Sequence, residues 1–218
     1  FLINTYITDT QWQASVDMNA SGEFVVTWSS NLQDGDSWGV YAQVFNADGS
    51  VNGSEFQVSD VTTGSQGNAA VVMKDNGEFV ISWRTGDIYA RVFDASGTAL
   101  TSDFAVNTTT AGLQTKFDLA LTDDGGFIAT WGSPGQDISM QKFDWSGTAI
   151  GAETQVNSTV GGTQVEPAIA SNANGDYVVL WRYDFAVPNN GVYAQHYVNP
   201  DLLFSNGDGA DDSSMTLT

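Results

Sequence analysis

A glutamine followed 17 residues later by a tryptophan occurs four times in the chain: Gln11 to Trp28, Gln66 to Trp83, Gln114 to Trp131 and Gln164 to Trp181. A glycine stands six residues before each tryptophan (Gly22, Gly77, Gly125, Gly175), and an aromatic ring stands four before it (Phe24, Phe79, Phe127, Tyr177). Successive glutamines lie 48 to 55 residues apart. A period of that size belongs to propellers and solenoids. The first three repeats each lead into a short β-prone segment carrying Val58, Val106 or Val156, eight residues ahead of the next glutamine. No such segment follows the fourth. Instead, Ile3 lies eight residues ahead of Gln11, in Phe1-Leu2-Ile3-Asn4-Thr5, which matches Phe104-Ala105-Val106-Asn107-Thr108. The chain thus opens with the strand its last repeat lacks, which predicts a ring shut by pairing its two ends.

Within each repeat, apolar residues alternate, and β-branched and aromatic types dominate. That is the period of strands. The second repeat reads as strand a over 69–73, strand b over 78–83, strand c over 88–93 and strand d over 104–107. Asp75-Asn76-Gly77 turns a into b, since Asn-Gly tolerates positive φ. Four strands per unit and four units predict an all-β fold: a four-bladed β-propeller with four antiparallel strands per blade. It spans residues 1–200, with 1–8 completing the last blade beside 191–198. Residues 201–218, with an acidic and polar stretch at 205–212, read as a flexible tail or linker toward other domains of a larger polypeptide. A competing register makes strand d the innermost strand of the following blade. Strand a suits the axis better, because the positions four past the glutamines are mostly small (Ser15, Ala70, Ala168, against Asp118).

Charge restricts the partners. Six Lys and Arg stand against 26 Asp and Glu, a formal charge of −20. Such a surface repels nucleic acid and anionic membranes and attracts cations, Ca²⁺ above all, because carboxylates and carbonyls are its ligands. There is no cysteine, so thiol chemistry and disulfides are excluded. No apolar run reaches the length of a membrane-spanning helix, and membrane insertion is not expected.

Residues 22–28, Asp34-Gly35-Asp36, 40–45, Gly49, 56–58 and 63–66 resemble repeats of very large secreted bacterial proteins of the RTX and adhesin kind. The resemblance covers residues 1 to about 200. It weakens in the third repeat, where Ser139-Met140-Gln141 replaces Tyr-Ala-Gln. It implies an extracellular or cell-surface setting, calcium and a multidomain host, and it carries no activity with it. The four-blade count is also similar to the hemopexin architecture, whose rings hold ions in the axial channel, a similarity of fold only.

The recurring Gln, Gly and Trp residues read as structure; departures from the repeat are the candidates for function. Trp28 to Tyr41 spans 13 residues and Trp181 to Tyr193 spans 12, whereas Trp83 to Tyr89 spans six. In a closed ring, the two long loops are neighbours. Their shared rim brings Trp38, Asp34 and Asp36 to Arg182, Tyr183, Asp184, Phe185, Asn189 and Asn190. An indole beside amides and carboxylates is a platform for a glycan or another cell-surface ligand, though local loop packing accounts for Trp38 as well. Asp34 and Asp36 are candidate Ca²⁺ ligands, and they are also ordinary turn chemistry. Asp17 and Asp118, on strands a of opposed blades, are candidates for an axial cation relieving their repulsion. Trp12 and Trp145 also fall outside the repeated positions, and Trp145 reads as surface packing.

Catalysis has little support in the pattern. The single histidine, His196, replaces a strand residue (Val44, Val92, Lys142), and no nucleophile triad or zinc spacing is present. The reading is therefore a non-catalytic extracellular binding or scaffold module stabilised by calcium. A lectin using the Trp38 rim is the alternative. A polysaccharide-acting enzyme stands behind it, since paired carboxylates can come from anywhere in a chain.

Overall fold

A computed structural model describes residues 1–133, 135, 137–158, 162–184 and 191–199. These contain 15 strands and no helix. Blade one is β1 (Gln11–Met18), β2 (Phe24–Asn31), β3 (Trp38–Phe45) and β4 (Val51–Gln57). Blade two is β5 (Gly67–Met73), β6 (Phe79–Arg84), β7 (Ile88–Phe93) and β8 (Phe104–Ala105). Blade three is β9 (Thr115–Leu121), β10 (Phe127–Gly132), β11 (Ile138–Phe143) and β12 (Ala149–Gln155). Blade four has three strands: β13 (Thr163–Ser171), β14 (Tyr177–Asp184) and β15 (Gly191–Tyr197). Every sheet is antiparallel and pairs its strands in chain order, as repeated hairpins require. Tight turns make the hairpins: Gly77 has φ +86°, and a Cβ there would come within 2.7 Å of Ala95, so this turn needs glycine twice over.

The blades meet through one recurring joint. In blades two to four, the residue five past the repeat glutamine points its side chain out of the first strand and plugs the face of the preceding sheet. Val71 sits among Val25, Val40 and Val44 of blade one. Leu119 sits among Val80, Ile88 and Val92 of blade two. Ile169 sits with Ile128 and Ile138 of blade three. The first strands touch in succession, β1 with β5, β5 with β9 and β9 with β13, which puts strand a on the inside of the array. Two aspartates rivet these strands. Asp17 accepts the Met73 N–H at 2.7 Å, and Asp118 accepts the Ile169 N–H at 3.0 Å.

Farther out, the ends of strands b and c stack ring on ring in every blade: Phe24 on Phe45, Phe79 on Phe93, Phe127 on Phe143 and Tyr177 on Tyr197, with centroids 4.5 to 5.3 Å apart. The preceding outer strand lays a phenylalanine beside the pair, Phe56 on Phe93 and Phe104 on Phe143. Basic side chains reach across the same joints. Lys74 of blade two holds Nζ 3.7 Å from the ring centroid of Trp145 in blade three, and Lys142 of blade three lies over Tyr177 of blade four. Arg91 pairs with Asp60 at 2.7 Å and donates to the Val58 carbonyl. Trp145 meets Phe127 edge-on, which is the surface packing expected of it.

The glutamines do what their recurrence implies. The side-chain amides of Gln11, Gln66 and Gln114 donate to the carbonyls of Thr8, Thr63 and Thr109, each pinning the connection that leads into its own blade.

The expected closure is not formed. The four sheets are β-propeller-like, yet they do not shut into a ring. Residues 1–10 form no strand, and among the described residues β15 pairs only with β14. The first residues dock on blade one instead, where Ile3 packs against its core and Phe1 lies 5.7 Å from Phe45. Val16 of blade one and Val192 of blade four, which such a closure would bury, are both exposed. Residues 201–218 lie outside the described residues.

Substituting Trp131, fully buried in the joint between sheets, is expected to cost about 3–5 kcal/mol as Trp131→Ala. Trp12→Ala, at a ring 52% exposed, is expected to cost about 1 kcal/mol or less. Urea unfolding of the two variants measures the contrast.

Candidate functional site

The first strand of every blade carries a bulge, opposite the repeat tryptophan in blades one, two and four and just beyond Trp131 in blade three. The register slips between Trp12 and Ser15, between Gly67 and Ala70, between Thr115 and Phe117, and between Val165 and Ala168. Gln13, Asn68 and Glu166 take φ of 53, 56 and 56° there. Non-glycine residues seldom hold such values, and bulges re-aim side chains. Two residues past each glutamine, the chain thus presents Gln13, Asn68, Lys116 and Glu166, all polar and all different, at the same end of the four sheets.

That end holds a cleft between blades one and two. It encloses about 420 Å³ and is lined by Trp12, Gln13, Trp38, Asn68, Arg84 and Leu113, among others. A second cavity of about 360 Å³, between Ser59 and Asp103, shares Ser65 and Thr85 with it, so the two adjoin. Trp12 and Trp38 form one wall, their rings 5.2 Å apart and tilted by 34°. Pairing with Asn31 and acceptance of the Gln66 N–H by the Trp38 carbonyl at 2.7 Å hold Trp38 in place. Gln13 accepts the Asn68 N–H at 3.1 Å, and Arg84 donates to the Gln114 carbonyl at 2.9 Å. Two indole walls, two side-chain amides and a guanidinium make a surface for polyhydroxylated rings. Indole faces stack on their C–H groups, and the amides and Arg84 read their hydroxyls.

Trp38 therefore belongs to the site, but its company differs from the expected rim. Its neighbours come from blade two rather than blade four, because the ring does not close. Arg182, Tyr183 and Asp184 lie on β14 and stay with their own blade. Arg182 bridges Glu166 at 3.1 Å and Asp184 at 2.8 Å. Tyr183 is buried with its ring edge-on to Tyr193. Phe185, Asn189 and Asn190 lie outside the described residues. Trp12 was the missed member. Its signal was legible: an indole one past the glutamine, where the other repeats have Gly67, Thr115 and Val165.

The acidic candidates are engaged by N–H donors. Asp34 accepts the Asp36 N–H at 3.1 Å and the Gln57 amide at 3.3 Å, and Asp36 accepts the Gly64 N–H at 3.0 Å. These bonds fold the long loop of blade one beneath Trp38. Burial, with Asp34 and Glu55 adding to it, pushes the neighbouring Tyr41 hydroxyl up to about 12. Asp17 and Asp118 are each bound to the adjacent blade's backbone. Among the described residues no three His, Cys, Asp or Glu side chains converge as a metal cage.

No protein-family model matches the sequence, and no curated protein matches it. Solved structures do match its fold. Bacillus subtilis arabinanase Arb43A matches with a TM-score of 0.51 and 12% identity, over 86% of this chain and 72% of that one. The α-L-arabinofuranosidase arb93a of Fusarium graminearum matches with a TM-score of 0.59 and 11% identity, over 86% and 58%. Penicillium chrysogenum α-L-arabinanase, solved with arabinobiose, matches with a TM-score of 0.58 and 15% identity, over 86% and 57%. The chain spans about 57 to 72% of these longer chains. These likenesses correct the expectation of a non-catalytic scaffold module: the fold is one that glycan-cleaving enzymes carry, although identities this low show the fold alone.

Asp118 sets a pH dependence. Burial raises its carboxyl above the usual 3.8, against two backbone N–H donors that lower it. The folded state then holds the proton to higher pH than the unfolded one. The stability this group contributes falls as pH rises through the window above 3.8. Asp118→Asn keeps a neutral group but turns an amide N–H toward a donor, at a cost of about 1 kcal/mol. Its deficit relative to the parent is expected to narrow as pH rises above 3.8, as read by urea unfolding.

Proposed function

We propose that this chain is a polysaccharide-acting module that grips its glycan in the cleft between blades one and two and cleaves it with carboxylates that blade four presents at the same end of the sheets. The observation that carries the reading is the Trp12–Trp38 wall facing Gln13, Asn68 and Arg84 in a cleft of about 420 Å³. The second cavity beside it gives room for more than one sugar residue. Support comes also from the names of the fold relatives, which are an arabinanase, an arabinofuranosidase and a second arabinanase. A formal charge of −20 suits a neutral glycan rather than an anionic polymer. A substrate of that kind lies outside the cell, and the reading puts the protein there too.

The carboxylates proposed for the chemistry are Glu166 and Asp184. Glu166 stands at the bulge position that Gln13 and Asn68 occupy in blades one and two, and Arg182 gathers both acids. One acid protonates the glycosidic oxygen as the C–O bond breaks. The other takes a proton from the water that adds to the anomeric carbon. A second reading, a lectin, is favoured by one observation: no carboxylate is among the residues lining the Trp12–Trp38 cleft.

Incubation with soluble arabinan and β-1,3-galactan, read by reducing-end release and by calorimetric binding, tests both. Turnover is expected. Trp12→Ala is expected to weaken binding about tenfold through the lost stacking. Glu166→Gln is expected to retain binding and lose turnover by about 100-fold or more. Binding without turnover in the parent chain selects the lectin, and the absence of both sinks the proposal.

A further inference from the structure

The two ends of the array are the two halves of its own recurring joint. In the interior joints the plugging residues Val71, Leu119 and Ile169 are 6, 5 and 8% exposed, whereas Val16, their counterpart in β1, is 60% exposed. On the receiving side, Val40, Ile88 and Ile138 are all 0% exposed, whereas Val192, at the same position in blade four, is 75% exposed. Leu180 is 39% exposed where Thr27, Ser82 and Thr130 are 0%. Blade one therefore presents a plug without a socket, and blade four a socket without a plug. Both are bare in the same molecule, so neither covers the other.

Residues 1–5 already occupy the seat of an outer strand from a preceding blade. Thr5 donates to Glu55 from its N–H at 2.6 Å and from Oγ1 at 3.0 Å, just as Thr108 donates to Glu153 from its N–H and Oγ1, both at 2.7 Å. Asp60 does the same to Asp103 from its N–H at 2.9 Å. Asn4 bonds the carbonyl two residues on, as Asn107 does. Phe1 lies on Phe45 as Phe104 lies on Phe143. In blade two, Val106 also pairs with the third strand, its N–H donating to the Ile88 carbonyl at 2.8 Å. Among the described residues, no strand pairs with residues 1–5 in that way.

We propose that a further blade of the same repeat type fills this gap. It takes residues 1–5 as its fourth strand, receives Val16 on one face and seats its own apolar plug against Val192 and Leu180. The interior joints define the occupant: β-branched residues on its outer strands and an apolar residue five past its glutamine.

The test fuses a copy of residues 59–103 directly ahead of Phe1, so that Asp103 precedes Phe1 as it precedes Phe104. The fused protein is expected to be monomeric, to melt about 5 °C or more above the parent chain, and to slow amide exchange at Val16 and Val192. Val192→Asp is expected to move the parent's melting by about 1 °C or less, since that side chain is exposed, and to cancel the gain in the fusion. The proposal is overturned if the fusion gains neither stability nor protection. Two further results sink it: a monomeric parent that already protects Val192, which means that blade four closes on blade one, and a dimeric parent that protects it, which means that a second copy sits there.

Discussion

One apolar side chain per blade, set five residues past a buried glutamine, holds the array together. Val71, Leu119 and Ile169 each leave their own sheet to be buried in the one before, and each contributes roughly 1.5–3 kcal/mol on burial. There is no disulfide to hold the sheets and no helix among the described residues to cover them. Cohesion therefore passes from neighbour to neighbour, as in repeat proteins generally. The tryptophans, ring stacks and aspartate rivets reinforce this joint rather than replace it. A structure built in this way has every interior sheet satisfied on both sides and every terminal sheet on one.

The joint also explains where chemistry can sit. The repeat tryptophan needs space on strand b, and the bulge opposite it supplies that space by setting two residues against one. The bulged residue is turned out of the sheet and has no part in the core. Gln13, Asn68, Lys116 and Glu166 are thus by-products of accommodating an indole, delivered to one end of the sheets by the scaffold itself. The long loop of blade one adds Trp38 to this end, and its two aspartates are bound up in shaping the loop.

Much of the architecture was legible in the chain. Strand c of blade two, read over 88–93, is β7, and the glutamine bonds to the connecting carbonyls were read from recurrence alone. Strand identity follows from side-chain alternation, which is local. Closure does not. The angle between sheets depends on the volumes wedged into each joint, which no periodic pattern records, so residues 1–5 found the right seat without the expected partner. The site was half legible for the same reason. Trp38 stood out by loop length, but its neighbours depended on which blades meet, and Trp12, though visibly outside the repeated positions, went unassigned because only the fold shows that its ring meets Trp38.

The placement of the few basic residues has its own effect. Lys74 is held over Trp145, Lys142 over Tyr177, Arg91 on Asp60 and Val58, and Arg84 on the carbonyl of Gln114. Four of the six cations are drawn into the seams, and on the exterior carboxylates far outnumber the two cations left there. Mutual repulsion among these carboxylates is long-ranged in dilute buffer and is cut to within about 8 Å at physiological ionic strength, whereas the partly buried contacts in the seams are screened far less. Brine therefore quiets the part of the electrostatics that pushes the sheets apart more than the part that draws them together, so this chain is built to gain cohesion as its surroundings become saltier.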